Sequence, residues 1–234
     1  MIKRLLILFV LIELSGQVHA QFFRGVGIFV GPNTSRQRYK NLNFQDTINM
    51  LAYIPPSHKS AELPSWTVGI FVELLKKKHI RWQTELEFTH KGATEKPLLN
   101  PYTGQRGAGV NSYTYIQWNN YAKFLLEEGY RGFWYGMLGP KLEYNMSRAT
   151  PAYAPWAGAL PKINVSADVG VGYEFLAYSP FKFFAELHYN PDVYPQGVRD
   201  RILITNRTWE LRVGIVYRPQ KALDDCNAPR YHGQ

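Results

Sequence analysis

Residues 163–175 read Ile-Asn-Val-Ser-Ala-Asp-Val-Gly-Val-Gly-Tyr-Glu-Phe. From Val165 the odd positions are Val165, Ala167, Val169, Val171, Tyr173 and Phe175. The even positions are Asn164, Ser166, Asp168, Gly170, Gly172 and Glu174. Side chains alternate faces along a β-strand, so this segment has one greasy face and one face carrying two carboxylates. In a soluble sandwich or lipocalin-like barrel the apolar face points inward. In a membrane barrel it points to lipid and the polar face lines the lumen. Periodicity alone leaves both orientations open.

The same alternation continues on either side of this stretch. Within 182–189, Phe183, Ala185, Leu187 and Tyr189 oppose Lys182, Glu186 and His188. Within 208–217, Trp209, Leu211, Val213, Ile215 and Tyr217 oppose Glu210, Arg212 and Gly214. Upstream, 25–31, 66–73 and 80–88 alternate in the same way. The segments 115–126 and 133–145 are less regular: Asn120 falls on the apolar side of the first, and Pro140 interrupts the second. Proline removes a ladder hydrogen bond, so a bulge or distortion is predicted there.

The connections between these eight segments alternate in length. Those at 75–79, 127–131 and 177–180 are tight, whereas those at 33–64, 93–112, 147–161 and 190–207 are long. An antiparallel sheet in water has no reason to sort its loops by end. Outer-membrane barrels do so, with short periplasmic turns and longer extracellular loops. The predicted fold is therefore all-β: an eight-stranded antiparallel up-and-down transmembrane β-barrel.

The ends and composition agree. Lys3 and Arg4 precede a short apolar run over 5–14, and Val18-His19-Ala20 resembles a signal-peptidase site, so residues 1–20 are predicted to be a cleaved signal peptide. Residues 21–218 form the barrel and 219–234 a polar periplasmic tail. The single cysteine, Cys226, rules out an intramolecular disulfide, and an exported domain of this size then needs another device to hold it together. Barrel closure is such a device, because it removes the sheet edges. The formal charge of +9 is scattered over turns and loops with no dense basic run, which argues against nucleic acid and for anionic lipid or lipopolysaccharide at the membrane surface. Aromatic residues make up 15% of the chain and gather near strand ends, as in interfacial girdles.

An eight-stranded lumen is just wide enough to be filled by side chains. The expected lumenal network comprises Arg81, Glu85, Glu87, Lys123, Lys141, Glu143, Asp168, Glu174, Glu186, His188, Glu210 and Arg212, whose mixed signs allow mutual pairing. Tyr53, Tyr102, Tyr153, Trp156 and Tyr194 fall in long loops and are candidate contacts for a partner protein.

Several motifs resemble the PorT-like family of small outer-membrane β-barrels. They are Trp82-Gln83-Thr84-Glu85-Leu86 with Lys91-Gly92, Tyr115-Ile116-Gln117 with Lys123-Phe124, Gly139-Pro140, and the closing Val213-Gly214-Ile215-Val216-Tyr217-Arg218. The chain departs from the family at Asn119, where a proline is usual, and in continuing through 221–234. The resemblance implies an eight-stranded outer-membrane barrel. It also suggests an accessory role in an envelope machine such as a type IX-like secretion system.

No catalytic or cofactor motif emerges. The histidines form no H-x-x-x-H pair, and neither a G-x-S-x-G elbow nor a P-loop is present. A lipid-active enzyme would have to draw its base from His90 or His188 and its nucleophile from Ser112 or Ser147, and no spacing links them. The expectation is a non-enzymatic protein without cofactor or metal. The alternatives are a small pore, a lipid-active barrel enzyme, or a secreted lipocalin-like ligand binder.

Overall fold

In a computed structural model, the described residues are 23–41, 57–75, 79–94, 98–99, 106–107, 110–128, 132–149, 161–175, 180–193, 196–198 and 202–219. The expected signal peptide, residues 220–234 of the tail, and the loop residues Tyr53, Tyr102, Tyr153, Trp156 and Tyr194 lie outside them.

Eight long strands form the wall: β1 (Phe23–Asn41), β2 (Leu63–Leu74), β3 (Ile80–Thr94), β4 (Val110–Glu128), β5 (Gly132–Ala149), β6 (Ile163–Phe175), β7 (Phe181–Pro191) and β8 (Ile202–Tyr217). Each pairs antiparallel with the next, and β8 pairs back onto β1 from Val26↔Tyr217 to Asn41↔Ile202, so the sheet closes. Short strands at Ser57–Lys59 and Gln196–Val198 extend the sheet beyond β1 and β8. The fold is the predicted all-β up-and-down barrel.

The register gives the stagger directly. From Gly27 the pairs run to Phe71, Glu85, Asn119, Lys141, Ser166, Asp192 and Asn206, and the last of these pairs with Gln37 on β1. One circuit thus returns ten residues further along the same strand, Gly27 to Gln37. Closure with such a shear tilts the strands by about 35–45° and leaves an interior that side chains can fill.

The two faces settle the orientation left open by periodicity. Ile28 is 59% exposed, Trp118 54% and Val213 51%, all on the outer wall, whereas Lys141, Asp168 and Arg212 inside are fully buried. Aromatic rims bound the outer apolar belt. At the end with the long connections Tyr189 packs on Trp209 (4.6 Å) and Trp66 on Phe88 (5.7 Å). At the other end Trp134 packs on Tyr173 (5.0 Å) and Phe181 on Tyr217 (5.1 Å). On β8 the belt runs from Trp209 to Tyr217, which at about 3.3 Å per residue and the tilt above spans roughly 20 Å, close to a barrel's lipid band. No helix among the described residues is long and apolar enough to cross a membrane.

One sequence expectation needs correction, and another is met in part. The long connections are shorter than 33–64, 93–112, 147–161 and 190–207, because β1 runs on to Asn41, β3 to Thr94, β4 starts at Val110 and β8 at Ile202. Beyond the lipid belt the outward residues meet water, so the apolar alternation stops while the backbone ladder continues. At Pro140 no register shift occurs: Asn119↔Lys141 and Ala122↔Leu138 lie in one register, and the β4–β5 shifts fall instead at Thr114/Tyr115 and Leu125/Glu127. Pro140 is on the outer wall, exposed, and the ladder lapses locally without slipping.

Lumenal glycines make room for rings. A Cβ on Gly27 would strike Phe71, on Gly69 Phe29, on Gly214 Phe184, on Gly170 His188, and on Gly172 the Tyr135 ring, with Oη at 2.6 Å. Each ring therefore lies across the bare backbone of a neighbouring strand. Gly172→Ala should destabilise the barrel by about 1–3 kcal/mol through overpacking. Combining it with Tyr135→Leu should recover part of that loss, as read from guanidinium unfolding in phospholipid vesicles.

Candidate functional site

All twelve residues expected in the lumen are buried there. Two cations organise its middle. Arg212 on β8 crosses the barrel to Glu85 (3.0 Å) and Glu87 (2.7 Å) on β3, pairs with Glu210 on its own strand, and lies over the Phe29 ring at 4.6 Å. Lys141 on β5 meets Asp168 (3.0 Å), Glu210 (3.4 Å) and Glu87 (3.5 Å). Asn119 donates to the same Oε2 atoms of Glu85 and Glu87 that Arg212 meets, while Gln83 (2.7 Å) and Thr67 (2.6 Å) donate to the other oxygens, Oε1 of Glu85 and of Glu87.

Below this layer His188 bridges two acids, with Nδ1 2.7 Å from Asp168 and Nε2 3.1 Å from Glu186, and Tyr135 donates to the same Glu186 at 2.6 Å. Lys123 sits 3.7 Å above the Tyr135 ring and 3.4 Å from Glu73. At the end with the tight turns Arg218 pairs with Glu73 (2.7 Å) and Glu174, and Arg81 reaches Glu174 at 3.6 Å while covering Phe133. The Glu186–His188 contact is one link in a network that Asp168 and Tyr135 complete.

Sequence reasoning missed part of this interior. Glu73, Lys91 and Arg218 are buried and ion-paired, and the lumen also holds Phe29, Phe71, Tyr121, Phe133, Tyr135, Met137, Phe184 and Val216. The signal for the rings was parity: Phe133, Tyr135 and Met137 share a face with Lys141 and Glu143 along β5. Their apolar character masked it. His90 and His188 lie on opposite faces of the wall. His90 stacks on the outward Trp66 (5.0 Å) and bonds Thr114 (2.9 Å), while His188 is inside, so no single site can use both. Ser112 and Ser147 lie on outward positions of the β4–β5 ladder. Among the described residues no group of three or more His, Cys, Asp or Glu side chains is arranged to hold a metal ion.

A second cluster lies toward the end with the long connections. Glu143 accepts from Lys91 (2.7 Å), Gln117 (2.7 Å), Asn164 (3.2 Å) and Ser166 (3.2 Å). Asp192, just past the end of β7, accepts from the backbone N–H of Asn206 (2.8 Å), from the Asn206 side chain (3.0 Å) and from Asn164 (3.0 Å). Burial, and secondarily the nearby Glu143 carboxylate, push Asp192 up to about 7 from an ordinary 3.8. The folded state thus keeps a proton that the unfolded chain has already released, so this group's favourable contribution is present at acidic pH and lost as pH rises from about 4 through 7. Wild-type unfolding midpoints should fall between pH 5 and pH 8. Asp192→Asn should flatten that dependence, and an unchanged slope in the variant would refute the assignment.

No protein-family model matches the chain, and a search of curated proteins finds no relative. Among solved structures it is similar to the Neisserial surface protein A, at 12% identity and a TM-score of 0.39, covering 82% of this chain and 97% of that one. It is similar to the attachment invasion locus protein Ail of Yersinia pestis, at 14% identity and 0.36, covering 83% and 99%. It is also similar to the outer membrane protein OprG from Pseudomonas aeruginosa, at 8% identity and 0.48, covering 85% and 98%. The assignment of this chain rests on its own register and faces: a closed eight-stranded wall, apolar outside and ion-paired within, makes it a β-barrel of the outer-membrane type.

Proposed function

We propose that this barrel is a non-catalytic interaction protein of the outer membrane, acting as an accessory subunit of an envelope machine such as a type IX-like secretion system. The observation that carries the reading is the lumen. Arg212 and Lys141 between them bind Glu85, Glu87, Asp168 and Glu210 across its full width, so the interior works as a rigid strut. A side-chain-filled eight-stranded barrel favours binding at its outer surface over passage through its centre. The loop aromatics Tyr53, Tyr102, Tyr153, Trp156 and Tyr194 are of the type enriched at protein interfaces, and the PorT-like motifs point to the envelope-machine role.

The test begins with SDS gels of outer-membrane fractions run with and without boiling, where a closed barrel migrates differently until boiled. Chemical crosslinking in intact cells then follows. The expected result is a discrete crosslinked envelope protein, lost when Tyr153 and Trp156 are replaced by Ala. Stable conductance steps in planar bilayers would make the protein a pore. Turnover of phospholipid by the purified barrel would make it an enzyme.

A further inference from the structure

Just outside the aromatic rim, the β1–β8 seam carries a concentration of exposed positive charge. Arg36 and Arg207 are direct cross-strand partners, Arg38 pairs with Thr205 on one side and with Lys59 on the other, and all four cations are exposed. They line a shallow cavity of about 50 Å³ together with Gln37 and Thr205. Among the described residues none of the four makes an ion pair with a carboxylate, and Glu62 nearby is held by the Thr34 hydroxyl at 3.4 Å. Like charges placed directly opposite across a ladder repel. Such a pairing is stabilised when an anion sits between the partners.

The backbone beneath the cavity is pinned. Ser60 bonds Gln37 through both its hydroxyl and its N–H, Gln37 Nε2 donates to Asn206 at 2.9 Å inside the wall, and the Thr205 hydroxyl donates to the Arg38 carbonyl. The guanidinium groups therefore project from a fixed three-strand surface. The height of the band identifies the occupant. Arg207 lies two residues beyond the rim residue Trp209 on the same outward face, about 7 Å along the strand, which is the depth of the headgroups flanking the hydrocarbon.

We propose that Arg36, Arg38, Lys59 and Arg207 form a binding site for the phosphate groups of an anionic outer-leaflet lipid, the class to which lipopolysaccharide belongs. Guanidinium forks bind phosphate oxygens bidentately, and three arginines with one lysine converging on a single cavity suit a phosphomonoester better than a zwitterionic headgroup. The proposal rests on the reading of the chain as a membrane-spanning barrel and names one partner for its outer wall.

The test is native mass spectrometry of the full barrel in neutral detergent, titrated with phosphatidic acid or phosphatidylcholine. The first phosphatidic acid should bind about tenfold more tightly than phosphatidylcholine, and Arg36→Gln/Arg207→Gln should abolish that preference. Arg38→Gln alone should weaken it, while Lys182→Gln, at the opposite end, should leave it intact. Equal binding of the two lipids, or an unchanged preference in the double variant, overturns the site. Displacement of the lipid by millimolar inorganic phosphate overturns the lipid as its occupant. The boiling-dependent gel shift of each protein is scored alongside: its absence in the wild type refutes the barrel itself, and its presence with no lipid preference refutes only this site.

Discussion

Arg212→Met is expected to lower the unfolding free energy by about 3–5 kcal/mol, the usual result of removing one partner from a buried charge cluster. The variant leaves Glu85, Glu87 and Glu210 sharing what remains of the lumenal countercharge, which for Glu87 and Glu210 is Lys141 at 3.5 and 3.4 Å. Among the described residues, Glu85 then keeps its amide donors, Gln83 (2.7 Å) and Asn119 (3.1 Å). Methionine keeps most of the volume over Phe29, so the loss reports charge more than packing. Adding Glu85→Gln should restore part of the stability, because it removes the carboxylate left without a cation. The measurement is reversible guanidinium unfolding in phospholipid vesicles, followed by tryptophan fluorescence and the boiling-dependent gel shift. A loss below about 1 kcal/mol would mean that water, and not Arg212, neutralises these acids.

The adjacent residue probes the opposite side of the same strand. Val213 is 51% exposed on the outer wall, midway between the rim residues Trp209 and Tyr217. Val213→Arg should cost about 2–4 kcal/mol, the range for a basic residue near the bilayer midplane of a barrel. The same change at Trp209 should cost less, since headgroups and water lie within reach of its side chain. In a soluble barrel with its apolar face inside, Val213 and Trp209 would both lie in the core, and arginine would be costly at either. A cost at Val213 that shrinks toward the rim therefore separates the two orientations on stability data alone.

Much of this molecule is legible one strand at a time. Along β6, Asp168 and Glu174 share a parity opposite Val169 and Val171, and the structure keeps that division without a slip. The same rule located Arg81, Glu85, Glu87, Lys123 and Arg212 on the lumenal face, because a strand's period of two admits no other partition once one face is greasy. It failed where the residue type contradicted the face. Phe71, Tyr135 and Phe184 look like lipid-facing residues, yet they fill the lumen because Gly27, Gly172 and Gly214 on neighbouring strands leave space for their rings. Strand ends were misjudged for a related reason. Asn33, Ser35 and Gln37 continue β1 with polar inward groups and hydrophilic outward ones, so hydropathy is silent while the ladder persists.

Strand number, antiparallel order and the polar character of one face were determined by the sequence alone, since each depends on local alternation and on connection length. Which acid meets which base was decided only in three dimensions. Arg212 and Glu87 are 125 positions apart and adjoin because closure with a ten-residue stagger brings β8 and β3 to face each other across the lumen. The cations of the outer rim follow the same logic. Arg36 and Arg207 become neighbours only when the last strand closes on the first, so a charge pattern scattered along the chain becomes a single surface through barrel closure.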